Sequence, residues 1–116
     1  MEKFMLIFHG GLGPDASPAQ MQENMGKWFS WINQLAAEDR YVSGEPLFPG
    51  GKFVSGAGGK TVTDGPFTEG KEVVGGYFIV NAKDYEDAIS LCGGYPDYEI
   101  GGKVQVRQVM KVDMPG

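Results

Sequence analysis

Between Lys3 and His9 (KFMLIFH) the residues are apolar at nearly every position, which predicts a β-strand buried on both faces and central in its sheet. Alternation places Phe4, Leu6 and Phe8 on one face and Met5, Ile7 and His9 on the other. A breaker-rich loop from Gly10 to Asp15 follows. Ser17-Pro18-Ala19-Gln20 then opens a helix, because Ser17 can cap free amides, Pro18 suits the first turn and Gln20 completes a capping box. Met21, Met25, Trp28, Phe29, Ile32, Leu35 and Ala36 recur at helical spacing and predict a helix from about Pro18 to Asp39 with this stripe as its core face. Trp31 falls on the margin of the stripe, where it can contact a partner.

Tyr41 to Leu47 reads as a short second strand ended by Pro46 and Pro49. Lys52 to Ser55 and Lys60 to Thr63 flank Gly56-Ala57-Gly58-Gly59 and read as a hairpin. Val73 to Ala82 is a strong strand entered through Gly75-Gly76. Asp84 caps a second helix whose inner face is Tyr85, Ala88, Ile89 and Cys92, with Gly93 as its stop. Tyr95 to Gly102 is loop, and Lys103 to Val112 closes the chain as a strand, with Val109-Met110 a site for a bulge.

The resulting order is β-α-β-(hairpin)-β-α-β within a single domain spanning residues 1–116. Short connections and sheet chirality favour a ferredoxin-like α+β fold, an antiparallel sheet with both helices on one face. The first strand then lies between the third core strand and the last. The opposite face has no helical cover, and it holds either Met5, Ile7 and His9 or the alternate set, together with Tyr77, Ile79 and Asn81 and with Gln105, Arg107 and Val109. A second copy of the chain is the simplest cover, so a homodimer is expected.

Composition narrows the function. The 116 residues are 41% hydrophobic, a globular proportion, and the nineteen glycines show no three-residue period. A net charge of −5 lacks the basic footprint of nucleic-acid binding and disfavours anionic membranes. No apolar run approaches the roughly 20 residues a membrane helix needs. The one cysteine, Cys92, cannot form an internal disulfide, which fits a cytoplasmic setting. One histidine and one cysteine do not make a zinc site, and no dinucleotide or P-loop fingerprint is present, so no cofactor is expected.

Topology supplies the candidate site. With the first and third core strands antiparallel, His9 falls beside Glu69-Gly70-Lys71-Glu72 and Gly75-Gly76, with Lys103 at the same end. A histidine among carboxylates is suited to general-base work, although it can equally end a strand on a loop carbonyl. Asp64-Gly65-Pro66-Phe67 has turn chemistry, with Asp64 free to hold a ligand or orient His9. Glu69, Lys71, Glu72, Tyr77 and Arg107 are the candidate ligand contacts, Arg107 as an anion-binding group or half of an intersubunit pair. Cys92 reads as core rather than nucleophile.

Across TDGPFTEGKEVVGGYFIV the chain resembles the YCII-related family in its DGPF-motif branch, through Asp64, Gly65, Pro66, Phe67, Glu69, Lys71, Glu72, Gly75 and Gly76. The likeness extends over the opening strand, the long helix, Gly44-Glu45-Pro46-Leu47 and the closing VQVRQV strand. It implies a ferredoxin-like subunit that pairs into a dimeric α+β barrel. Some family members outside this branch look like lyase-type enzymes, including a dehydrochlorinase of a chlorinated hydroxyhydroquinone, and use a histidine in the first helix and an aspartate just before a proline after the second. Here the first helix has Lys27-Trp28 and no histidine, and Tyr95 precedes Pro96. The branch also looks associated with extracytoplasmic-function sigma factors, so a non-enzymatic regulatory or interaction module is the rival expectation.

Overall fold

The computed structural model describes residues 1–13, 15–65 and 73–113. Their elements are β1 (Glu2–His9), α1 (Pro18–Ala37), β2 (Tyr41–Pro46), β3 (Lys52–Ser55), β4 (Thr61–Asp64), β5 (Val74–Ala82), α2 (Tyr85–Ser90) and β6 (Lys103–Gln108). The main sheet runs β2-β5-β1-β6, antiparallel throughout, and β3-β4 form a separate ribbon. The fold is α+β and ferredoxin-like, with β1 central between β5 and β6 as its apolar run predicts.

Local chemistry sets the helix starts. Ser17 Oγ accepts from the Gln20 amide at 3.1 Å while Gln20 Oε1 accepts from the Ser17 amide at 2.8 Å, the reciprocal capping box. Asp84 Oδ1 accepts from the Asp87 amide at 2.8 Å and starts α2, which passes at Leu91 into a 3-10 turn ending at Gly94. β6 stops at Gln108 and not at Val112, although the Val109 amide still reaches the Lys3 carbonyl at 2.9 Å.

The core lies between the sheet and the helices. Phe4, Leu6 and Phe8 of β1 and Phe78, Val80 and Ala82 of β5 meet Trp31, Leu35, Ala88, Cys92 and Tyr95. The face of α1 that packs differs from the expected stripe. Trp31 is 3% exposed, whereas Met21, Met25 and Phe29 are 49%, 57% and 57% exposed. The helix is rotated so that the two indoles at Trp28 and Trp31, with Leu35, occupy the space over Phe8 and Phe78. Large flat rings fill that layer better than methionines and remove more apolar area from water. Ile89 likewise points outward, while Tyr85 keeps an edge contact with Phe4 and its hydroxyl accepts from the Gln108 amide.

The β3-β4 ribbon projects from this body with every residue exposed. It helps raise the radius of gyration to 16.2 Å, against roughly 13 Å for a compact chain of this length. Its base is closed by the Gly65 amide on the Gly51 carbonyl at 3.0 Å and by an ion pair of Lys52 with Asp64.

One part-buried ion pair ties three elements together. Arg40 Nη1 donates to Asp87 Oδ2 at 2.7 Å and to the Asn81 carbonyl at 3.2 Å, and the Lys83 amide also donates to Asp87 Oδ2. The Arg40 hydrogen bond, followed by the Lys83 amide, holds the Asp87 carboxyl below its ordinary value of 3.8. A depressed carboxylate stabilises the fold above its unfolded-state pKa and loses that contribution as pH falls through the folded value. Denaturant midpoints measured from pH 6 to pH 3 are therefore expected to fall more steeply for the wild type than for Asp87→Asn, and equal slopes would contradict the linkage.

Gly94 offers a packing test. A Cβ built there would clash with Cδ1 of the Trp31 indole. Gly94→Ala is expected to cost about 1–3 kcal/mol in urea unfolding by overpacking this layer.

Candidate functional site

The open face of the sheet is ordered in rows. Across the strands the register gives Ser43–Ile79–Met5–Arg107 and then Glu45–Tyr77–Ile7–Gln105. Each row has an apolar centre and polar ends, while Phe4, Leu6, Phe8, Phe78 and Val80 face the helices. In the last row His9 pairs with Val74 on one side and Lys103 on the other, as antiparallel neighbours of β1 must. The alternation therefore resolves to Met5, Ile7 and His9 on the uncovered side.

A bulge shapes this end. Phe8 pairs with Gly76 and His9 with Val74, leaving Gly75 as the extra residue. The strand ends close tightly on the glycine pair. The Gly10 amide donates to Val73 and the Leu47 amide to Gly75, both at 2.9 Å. A Cβ at Gly76 would lie 2.8 Å from the Glu45 carbonyl oxygen, and one at Gly75 would lie 3.1 Å from that of Gly10. Side chains at either position would push β1 and β2 off β5.

His9 is held at this bulge. Its Nε2 lies 3.1 Å from Gln105 Oε1, and its backbone carbonyl accepts from the Tyr95 hydroxyl at 3.3 Å. With Gln105 Oε1 as the acceptor, Nε2 carries a proton, and in the neutral ring Nδ1 is then an acceptor. That Nδ1 is buried, with no hydrogen-bond partner among the described residues. An unmade hydrogen bond of this kind costs about 1–3 kcal/mol.

The remaining expected site residues separate. Tyr77 lies on the same open face, half-buried between Glu45 and Ile7. Arg107 lies there too, exposed opposite Met5, with no ion pair among the described residues. Its exposure means water solvates the guanidinium in the single chain. Asp64 sits on the ribbon, paired with Lys52, and no hydrogen bond links it to His9. Glu69, Lys71, Glu72, Pro66 and Phe67 lie outside the described residues.

A second polar locus occupies the helix side of the same strand end. Asp97, only 4% exposed, receives the Asn24 side-chain amide on Oδ1 at 2.6 Å. Its backbone carbonyl accepts from the Ile100 and Gly102 amides at 3.2 and 2.9 Å, which folds the Pro96–Gly102 segment around it. Neighbouring Tyr95 has its phenol pushed up to about 12, first by burial and then by the Asp97 charge. Asp97 escaped the sequence reading because loops have no period. The usable signal was positional, an acid one residue after Pro96 in a segment bracketed by Gly93-Gly94 and Gly101-Gly102. Among the described residues no three histidine, cysteine, aspartate or glutamate side chains come together to hold a metal, and no helix is long and apolar enough to cross a membrane.

Sheet order, helix placement and the bulged strand end together define an α+β, ferredoxin-like chain whose second sheet face carries no helix among the described residues. The profile of the YCII-related domain matches residues 8–113, so the chain belongs to the YCII-related family. A comparison with curated proteins finds no match. The match spans β1 at His9, the bulge, α1 and the Asp97 turn, so both polar loci lie inside the family domain.

Cys92 is 6% exposed, and burial pushes its thiol up to about 11. The thiolate is the reactive form, so the side chain is inert where it sits. A thiol reagent at pH 8 is expected to modify no cysteine in the native protein and one per chain after denaturation. Rapid native labelling would show that the 3-10 turn opens readily.

Proposed function

We propose that this chain is a small-molecule-binding protein of the DGPF-motif branch, working in the cytoplasm as a homodimer. Its ligand would sit in the cavity formed when two open sheet faces come together as a dimeric α+β barrel. The observation that carries this reading is His9, whose Nε2 is fixed by Gln105 while the buried Nδ1 has no partner among the described residues. An N–H or O–H group brought by a ligand recovers that hydrogen bond. A bare imidazole nitrogen can also take a proton, which makes lyase-type acid–base chemistry available to the site. Tyr77 and Arg107, on the same face, would supply a phenol and an anion contact, with Asp64, Glu69, Lys71 and Glu72 as the further candidate residues.

The dimer reading rests on the rows of the open face. Ile79, Met5, Tyr77 and Ile7 form an apolar centre with Ser43, Glu45, Gln105 and Arg107 at its margins, the layout of a self-complementary interface. Sedimentation at micromolar concentration is expected to give a dimer, and Ile7→Glu a folded monomer. A monomeric wild type would refute it.

A thermal-shift screen with a broad metabolite set tests ligand binding. At least one compound is expected to raise the wild-type midpoint by several degrees and to lose that effect in His9→Ala. A screen without a hit, or a hit unaffected by the substitution, sinks the reading.

The stripe of Met21, Met25 and Phe29 on α1 favours a second reading, a non-enzymatic interaction module whose partner is an extracytoplasmic-function sigma factor. Pull-down with wild type and with Met25→Asp/Phe29→Asp separates the two. Recovery of nothing beyond the homodimer argues against this one.

A further inference from the structure

We propose that the cleft between the first turns of α1 and the Pro96–Ile100 turn binds a primary ammonium group carried on a short apolar stem. This site lies on the helix side of the sheet and is independent of the cavity around His9.

The carboxylate of Asp97 is the anchor. It is 4% exposed and lines a cleft of about 150 Å³. One oxygen is occupied by the Asn24 amide at 2.6 Å, and Oδ2 has no hydrogen bond among the described residues. Among the described residues the Asn24 amide is the one side-chain donor to this carboxylate, and no cation pairs with it. Gly11 borders that oxygen, since a Cβ there would stand 3.8 Å from Oδ2, in van der Waals contact.

The lining selects the ligand. Glu23 and Glu99 join Asp97 at the cleft, and Lys27 is its one cation among the described residues. The exposed ammonium of Lys27 lies 4.0 Å from Glu23 and makes no ion pair with Asp97. Three carboxylates against one ammonium leave the cleft negative. Leu12 and Ile100 give it apolar wall. With its amide nitrogen committed to Asp97, the Asn24 side-chain oxygen remains to accept. An ammonium has three donors on one small centre, which match Asp97 Oδ2, Asn24 Oδ1 and water. The volume suits such a group on a stem of a few carbons.

The test is an amide-resolved NMR titration with n-propylammonium chloride, run beside propan-1-ol and sodium propionate at equal ionic strength. Saturable shifts centred on Leu12, Asn24 and Ile100 are expected for the amine alone. Asp97→Asn, with unchanged circular dichroism, is expected to weaken binding on the order of tenfold through loss of the charge-assisted hydrogen bond. Glu99→Gln, on the exposed rim, is expected to weaken it by a smaller factor. His9→Ala is expected to leave the titration unchanged, which keeps this site separate from the sheet-face reading. Absence of saturable shifts, equal shifts with the alcohol, or undiminished binding by Asp97→Asn overturns the proposal. If Asp97→Asn does not fold, the Glu23→Gln/Glu99→Gln pair decides it, and undiminished binding there overturns it equally.

Discussion

Phe8 is the point where five rings meet. Trp28, Phe78, Trp31 and Tyr95 surround it at centroid distances from 4.9 to 5.7 Å, edge-on, tilted or stacked. Each such pair contributes about 0.5–1.5 kcal/mol beyond the area it buries. The cluster joins the centre of the sheet to α1 and to the segment after α2. It also fixes the roll of α1, since only one rotation brings both indoles over Phe8 and Phe78. The exposure of Met21, Met25 and Phe29 is the consequence of that choice.

Both polar loci hang from this cluster. His9 is the next residue along β1 and emerges on the opposite face of the sheet, with its carbonyl held by Tyr95. Asp97 follows Tyr95 by two positions and is positioned by the same ring packing. The end of β1 therefore has a polar side chain on each side of the sheet, His9 from the strand itself and Asp97 from the turn packed against it. Rigid packing between them, rather than a shared cavity, is what relates the two. Gly75 and Gly76 complete the arrangement by letting β1, β2 and β5 close at that end.

Much of this architecture is legible in the residue pattern because its causes are local or periodic. An apolar run on both faces makes β1 central, Ser17 and Gln20 start α1 through their own side chains, and antiparallel order alone brings His9 to Lys103 and to the start of β5. The roll of α1 was not legible. Apolarity marks a broad stripe, and the shapes of Trp28 and Trp31 decide which arc of it packs. Asp97 was hidden for another reason. Its burial depends on Asn24, 73 residues away, and on a turn closed by its own carbonyl. Such a contact leaves no trace in local spacing.

The chain has two tryptophans, and both belong to the Phe8 cluster. Intrinsic fluorescence from this protein is thus a local signal. It reports the emission of two neighbouring indoles, 5.7 Å apart, at one end of the sheet. The β3-β4 ribbon contains no indole and can loosen without changing the spectrum. An optical readout and a backbone readout of this molecule are two different measurements, and their disagreement would locate the ribbon as a separate spectroscopic compartment.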